Sequence, residues 1–282
     1  MENKKKGGAR SLGLIAFCVV ILLLLLYAQY LINQQTKVSM IQMAQWQSSV
    51  EAEYGSSESE PEGSEASDVQ TTEAVEPVML EKYAELYAKN SDLIGWLTIA
   101  GTNIDYPVMQ TPENESFYLD KDFDKNEDAN GCLIMDTDSV VGEGTRAGGY
   151  VAEQEPSDNL IIHGHTMKNG DMFGNLNLYA DKAYAKEHAV ICFDSLYESR
   201  EYEVLAVFES EVYGKDEEVF KYYKFFEAET QEEFDEWYTN IKTLSLFDTE
   251  VTAEFGDEFI TLSCCAYHTE NGRFVVVGKR IR

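Results

Sequence analysis

Basic residues are scarce in this chain: 22 Lys and Arg stand against 51 Asp and Glu, a formal net charge of -29 over 282 residues. So acidic a protein is repelled by phosphate backbones, which argues against nucleic acid as its partner. Cysteine is sparse too. The five cysteines are scattered, and Cys18 lies inside an apolar run, so no disulfide framework holds the fold. Only four histidines are available for acid-base or metal chemistry. What remains is ordinary globular material. With 44% hydrophobic and 26% charged residues, the chain is neither wholly disordered nor collagen-like, and it is long enough to bury a real core.

Ser11 to Ile32 carries no charged residue, and this run would rise roughly 33 Å as a helix, enough to span hydrocarbon. Lys4, Lys5, Lys6 and Arg10 precede it, whereas only Lys37 follows before Lys82. The positive-inside rule then predicts a cytoplasmic segment 1–10, a membrane anchor 11–32 and everything beyond it outside the cell. A cleaved signal peptide is the alternative, but the apolar run exceeds the usual ~7–15 residues and no A-x-A site follows. From Val38 to Glu81 there is no Lys or Arg, and EAEYGSSESEPEGSEASD offers little to bury, so 33–76 is expected to be a solvated acidic tether. The folded domain is expected over 77–282.

PVMLEKYAELYAKN places Val78, Tyr83, Leu86 and Tyr87 at helical spacings and exits at Asn90, which predicts an amphipathic entry helix. Short β-type runs follow: IGWLTIA, IDYPVMQ, GCLIMD, NLIIHGH, AVICF, YEVLAVF, FITLSCC and FVVVGKR. A barrel or sandwich is implied. Between the sixth and seventh runs, Thr230 and Glu233 form a capping-box pattern ahead of Phe234, Trp237, Tyr238 and Ile241, which predicts an inserted helix.

In FITLSCC, alternation puts Ile260, Leu262 and Cys264 on one face and Phe259, Thr261, Ser263 and Cys265 on the other. Cys264 belongs with the aliphatic set, and Cys265 is the thiol placed to meet a ligand. Beyond it, Asn271-Gly272 predicts a tight turn that returns Arg273 toward the cysteine strand. A nearby cation either favours the thiolate or binds an oxyanion. His163 and His165 end the strand NLIIHGH and share a face if that strand continues through both. Three readings stay open on these residues alone: one histidine as acid-base partner of Cys265, two imidazoles and a thiolate around a metal, or purely structural side chains. Two other patterns fail. DFDKNEDANGCL has Glu127 where a calcium loop needs Gly and Leu133 where it needs Glu. GEGTRA has no helix pattern behind it, so it is no dinucleotide fingerprint.

The order of DLIGWLTIAGTNIDYPVMQ, SFYLDKDF, GCLIMD, NLIIHGHTMKNGDMFGNL, the inserted helix, TLSCC and GRFVVVGKR resembles the class B sortases, membrane-anchored cysteine transpeptidases of Gram-positive bacteria. The resemblance covers about Pro77 to Arg282. It implies a mostly β fold, a closed eight-stranded barrel with N-terminal helices and a helix inserted between two late strands. By similarity the catalytic histidine falls on His165, the nucleophile on Cys265 and the catalytic arginine on Arg273, with Ser263 and Leu119 near the substrate groove. Two positions depart from the family pattern: Cys264 stands where Thr is usual, and His163 where an aromatic is more common. No cofactor and no metal are implied. The implied partners are secreted proteins bearing a C-terminal sorting motif and an amine of a lipid-linked peptidoglycan precursor. A pilin lysine as acceptor, or an inactive surface binding module, are the alternatives.

Overall fold

The computed structural model describes residues 78–142, 145–146, 149–150 and 156–282. The chain divides into two units, Met1–Thr71 and Thr72–Arg282, and the described residues belong to the second. The expected cytoplasmic segment, anchor and tether, 1–76, lie outside the described residues. The localisation expected from the anchor is corrected accordingly: among the described residues, no helix is long and apolar enough to cross a membrane.

Helix α1 (Glu81–Lys89) enters the fold. It is shorter than its apolar spacing suggests. Val78 precedes it and is exposed, while Tyr83 is the residue it buries. Tyr83 stacks on Trp96, and its hydroxyl and the Lys82 ammonium both meet Asp194 Oδ2 at 2.6 Å. The helix ends at Asn90, whose buried side-chain amide donates to the Tyr118 hydroxyl and the Phe123 carbonyl, each at 2.7 Å.

The strands are β1 (Leu93–Thr98), β2 (Asp105–Met109), β3 (Leu133–Met135), β4 (Thr145–Arg146), β5 (Gly149–Tyr150), β6 (Asn159–Gly164), β7 (Val190–Ser195), β8 (Ser199–Glu211), β9 (Phe259–Cys265) and β10 (Gly272–Arg280). All eight β-type runs of the sequence become barrel strands. They close in the order β1-β2-β3-β6-β9-β10-β8-β7, while β4 and β5 form a separate two-stranded ladder. Two of the eight barrel pairings are parallel, β2 with β3 and β6 with β9; the other six are antiparallel. Closure leaves the barrel no free edge along which other chains could pair.

Inward residues such as Leu97, Phe193, Val207, Ile260, Leu262 and Val276 fill the barrel. The outer faces of β8, β9 and β10 are not left to water. Between β8 and β9 the chain makes a 3-10 turn (Tyr222–Lys224) and helix α3 (Gln231–Leu244); the short helix α2 (Lys182–Glu187) lies earlier, between β6 and β7. The capping box expected at Thr230 and Glu233 is formed, and it starts α3 with Phe234, Trp237 and Ile241 on its buried side. These side chains cover Leu205, Phe208, Phe259, Val275 and Val277. β9 is therefore buried on both faces along nearly its whole length, which explains an apolar run broken only by two hydroxyls.

Trp237 stacks on Phe225 at 4.1 Å between ring centroids and tilts against Phe259 at 4.7 Å. Trp237→Ala is expected to cost about 3–5 kcal/mol of stability, as large aromatic truncations in cores do. Urea denaturation followed by circular dichroism measures it. A loss under about 1 kcal/mol would mean that the outer layer is not part of the cooperative core.

Candidate active site

Cys265 is the last residue of β9. Alternation sends Cys264 inward, where it is 2% exposed among the core side chains, and turns Cys265 outward, half-buried, where the strand ends. On β10 the partner of Cys264 is Phe274, also in the core, and the partner of Cys265 is Arg273. Directly opposed residues share a sheet face with Cβ atoms ~4.5–5.5 Å apart. The register alone thus sets a guanidinium beside the outward thiol. The connection is not the tight Asn-Gly turn read from the sequence. It runs over residues 266–271, and Asn271 adopts the left-handed conformation, φ 58°, just before Gly272 starts β10.

Arg273 Nη1 donates to the carbonyls of Gly272 at 3.0 Å and Asn271 at 3.2 Å. Its side chain lines a pocket of about 260 Å³ together with Tyr222, Lys224, His163, Asp136 and Glu115. Ser263 does not reach this pocket as a free hydroxyl. It is 1% exposed, and its Oγ lies 2.7 Å from the Tyr222 hydroxyl. Two-sided burial of β9 makes Ser263 a brace for Tyr222, and Tyr222 forms the wall of the pocket. Leu119, by contrast, has an exposed side chain.

His165 lies just past the end of β6, so it and His163 do not share a strand face as expected. His163 Nε2 lies 3.1 Å from Asp136 Oδ2, whereas His165 Nε2 lies 2.7 Å from the Leu119 carbonyl oxygen. The loop opened by His165 is closed by the Phe173 amide donating to the His165 carbonyl at 2.9 Å and by a bridge between Thr166 and Met172. Thr166 Oγ1 donates to the Cys265 carbonyl, one step beyond the parallel pairing of Gly164 with Cys264. The histidine loop is therefore fastened to the end of the cysteine strand.

Among the charged groups of the pocket, Asp136 and His163 form a direct pair. Burial alone would raise the Asp136 carboxyl, but the His163 hydrogen bond, the Asp138 amide and the charges of His163 and Lys224 outweigh it and hold the group below its usual value. Glu115, Asp136 and His163 bring three possible ligand atoms within 4.8 Å of one another, the single such group found among the described residues. Lys224 and Arg273 line the same pocket and Asp136 is already bonded to His163, so positive charge stands beside this cluster. The set His163, His165 and Cys265 is not assembled as a metal site among the described residues. Burial pushes the Cys264 thiol up to about 11 and the Cys132 thiol up to about 12, so both are inert at neutral pH.

A half-exposed thiol and a guanidinium are opposed where β9 ends, and the loop that opens with His165 is bonded to the same strand end. The sortase domain family model matches residues 97–281. The chain belongs to the sortases, in class B. Sortase B of Listeria monocytogenes is 32% identical over 209 residues, covering 71% of this chain and 74% of the relative. The structure of sortase B from Bacillus anthracis in complex with AAEK1 superposes with a TM-score of 0.60 at 25% identity, covering 74% of this chain and 88% of that one. A sortase B–substrate complex from Staphylococcus aureus shares the fold, with a TM-score of 0.61 at 24% identity over 72% of this chain and 86% of that one. This sortase is accordingly a transpeptidase of the class B type, and its mostly β, closed eight-stranded barrel is the class B fold.

Three parts of the site are not visible in the sequence reading: Tyr222, the Asp136–His163 pair and Thr166. Each depends on a non-local pairing. Asp136 follows β3, and only the register of Ile134 opposite His163 brings the two together. Tyr222 sits in an irregular stretch before α3 with no periodicity to mark it.

Two outcomes check this geometry. Alkylation with iodoacetamide at pH 7.5, mapped by mass spectrometry, is expected at Cys265 well ahead of Cys264 and Cys132; comparable labelling of Cys264 would contradict its interior placement. For Asp136, a depressed folded value means its stabilisation is complete above the unfolded value of ~3.9 and is lost as pH falls through the folded one. Asp136→Asn should therefore shrink the stability difference between pH 6 and pH 3, read by urea denaturation. An unchanged difference would show that the His163 bond does not stabilise the carboxylate.

Proposed function

We propose that this sortase cleaves a C-terminal sorting motif after a Thr residue with Cys265 as nucleophile, and transfers the acyl group to an amine of a peptidoglycan precursor. The observation that carries this reading is the register of β9 and β10, which opposes Cys265 and Arg273, with the His165 loop bonded to the Cys265 carbonyl through Thr166.

The Cys265 thiolate attacks the carbonyl carbon of the Thr, and an S–C bond forms while the carbonyl oxygen takes negative charge. Arg273, on the same face, supplies the positive charge that stabilises this oxyanion and holds the motif. The C–N bond then breaks, and His165 as imidazolium gives its proton to the leaving amine. A thioacyl enzyme remains. In the second half the neutral imidazole takes a proton from the incoming amine as a new C–N bond forms and the S–C bond breaks, which returns the thiolate. The pocket beside Arg273, walled by Tyr222 and the Asp136–His163 pair, offers room and polar partners for residues of the motif. The Staphylococcus aureus protein of the same fold is a sortase B in complex with a substrate, which supports reading this barrel as one that binds a substrate.

The test incubates the full chain with a panel of sorting-motif peptides and an amine acceptor, either a peptidoglycan stem peptide or a lysine-bearing pilin fragment, and identifies products by mass spectrometry. Cleavage with transfer is expected, abolished in Cys265→Ala, cut by about 10²-fold or more in His165→Gln, and largely kept in Cys264→Ala. Equal losses in the two cysteine variants would defeat the assignment of the nucleophile. No thioacyl species with any motif would defeat the proposed reaction. The acceptor used decides between wall precursor and pilin.

A further inference from the structure

We propose that the main-chain carbonyl of Leu119 is a positioning group for His165: it accepts the Nε2 proton and leaves Nδ1 as the atom that exchanges protons with the reacting amines. The inference rests on the reading of His165 as the acid-base group and specifies how it is oriented. A carbonyl oxygen only accepts hydrogen bonds, so a contact of 2.7 Å with His165 Nε2 requires a proton on that nitrogen. In the neutral ring the lone pair is then on Nδ1. During cleavage the proton on Nδ1 passes to the amine nitrogen as the C–N bond breaks; during transfer the incoming amine returns a proton to Nδ1. Nε2–H stays bonded to Leu119 throughout.

The carbonyl lies in a turn held from two sides. Leu119 lies in a 3-10 turn, Phe117–Asp120, joined to the next segment by the Cys132 amide donating to the Tyr118 carbonyl and the Asp128 amide donating to the Asp120 carbonyl, each at 2.9 Å. The Tyr118 side chain is fully buried beneath the turn; its hydroxyl donates to Asp92 Oδ2 at 2.8 Å and accepts from Asn90 at 2.7 Å. On the other side runs Gly131, at φ +60°. A Cβ there would lie 2.5 Å from the carbonyl oxygens of both Tyr118 and Leu119. The buried phenol anchors the turn and the glycine packs against its carbonyls, while the Leu119 side chain is 40% exposed. What is fixed is the carbonyl, not the leucine.

Nitrogen chemical shifts of the full chain labelled with ¹⁵N-histidine test this directly, because the four histidines are few enough to assign by subtracting the His165→Gln spectrum. At alkaline pH, His165 is expected to be the pure Nε2–H form, with a slowly exchanging Nε2 proton. A populated Nδ1–H form, or an Nε2 proton lost to rapid solvent exchange, would overturn the proposal without any variant. Gly131→Ala should return the ring to a mixture of forms and lower kcat by about tenfold or more with KM for the peptide little changed. Gly256→Ala is the control: Gly256 is also left-handed, φ +93°, but has nothing within 4 Å, so the ring signals should not move. If Gly131→Ala does not fold, Tyr118→Phe frees the turn from Asp92 and Asn90 without a clash. Unchanged His165 signals in whichever variant folds would overturn the proposal. The proposed reaction fails separately: full activity of His165→Gln removes the acid-base role whatever form the ring takes.

Discussion

The antiparallel ladder between β9 and β10 is the constraint on which the site depends. Seven successive pairs, from Lys279 opposite Phe259 to Arg273 opposite Cys265, tie the two strands. Alternation along that ladder separates two functions that sit one residue apart. Cys264 and Phe274 face the core and contribute to packing; Cys265 and Arg273 share the opposite, outward face. A shift of one residue would bury the outward thiol and expose the inward one, so the register must be held firmly. Burial on both sides holds it: barrel side chains press from within, and Trp237, Phe234 and Tyr222 press from without.

The inserted segment between β8 and β9 consequently has two roles. Its helix α3 supplies the outer hydrophobic layer that makes β9 a central, doubly covered strand. Its 3-10 turn supplies Tyr222, whose buried hydroxyl bonds Ser263 and whose ring lies against Phe208 and Tyr223. Burial keeps this phenol protonated well beyond its usual range, so it remains a neutral partner next to Arg273 at any working pH. Stability and pocket shape come from one piece of chain.

The sequence shows best what is local. The eight barrel strands stand out as apolar runs between turn residues, the start of α3 follows from Thr230 and Glu233, and the opposite parity of Cys264 and Cys265 follows from alternation alone. What it hides is set by contacts across the fold. Ser263 has the same parity as Cys265 and so looks open, yet the outer layer covers it; period-2 reasoning assigns a face and says nothing of what lies on that face. His165 appears to continue a strand that stops one residue earlier, at Gly164, where a Cβ would meet Phe173 and Leu133 at 2.6 Å. Leu119 stands out by resemblance as a position near the substrate groove, whereas its contact with His165 is made by its carbonyl, a group every residue carries and no sequence can mark.

Cys265 and Arg273 ride on one continuous ladder, whereas His165 belongs to a loop joined to that ladder through Thr166 and to the 117–120 turn through Leu119. The three positions are therefore fixed by different parts of the chain. The backbones of Cys265 and Arg273 share one register, so neither can be displaced along the sheet without the other. The imidazole takes its place from two tethers outside that ladder rather than from the barrel.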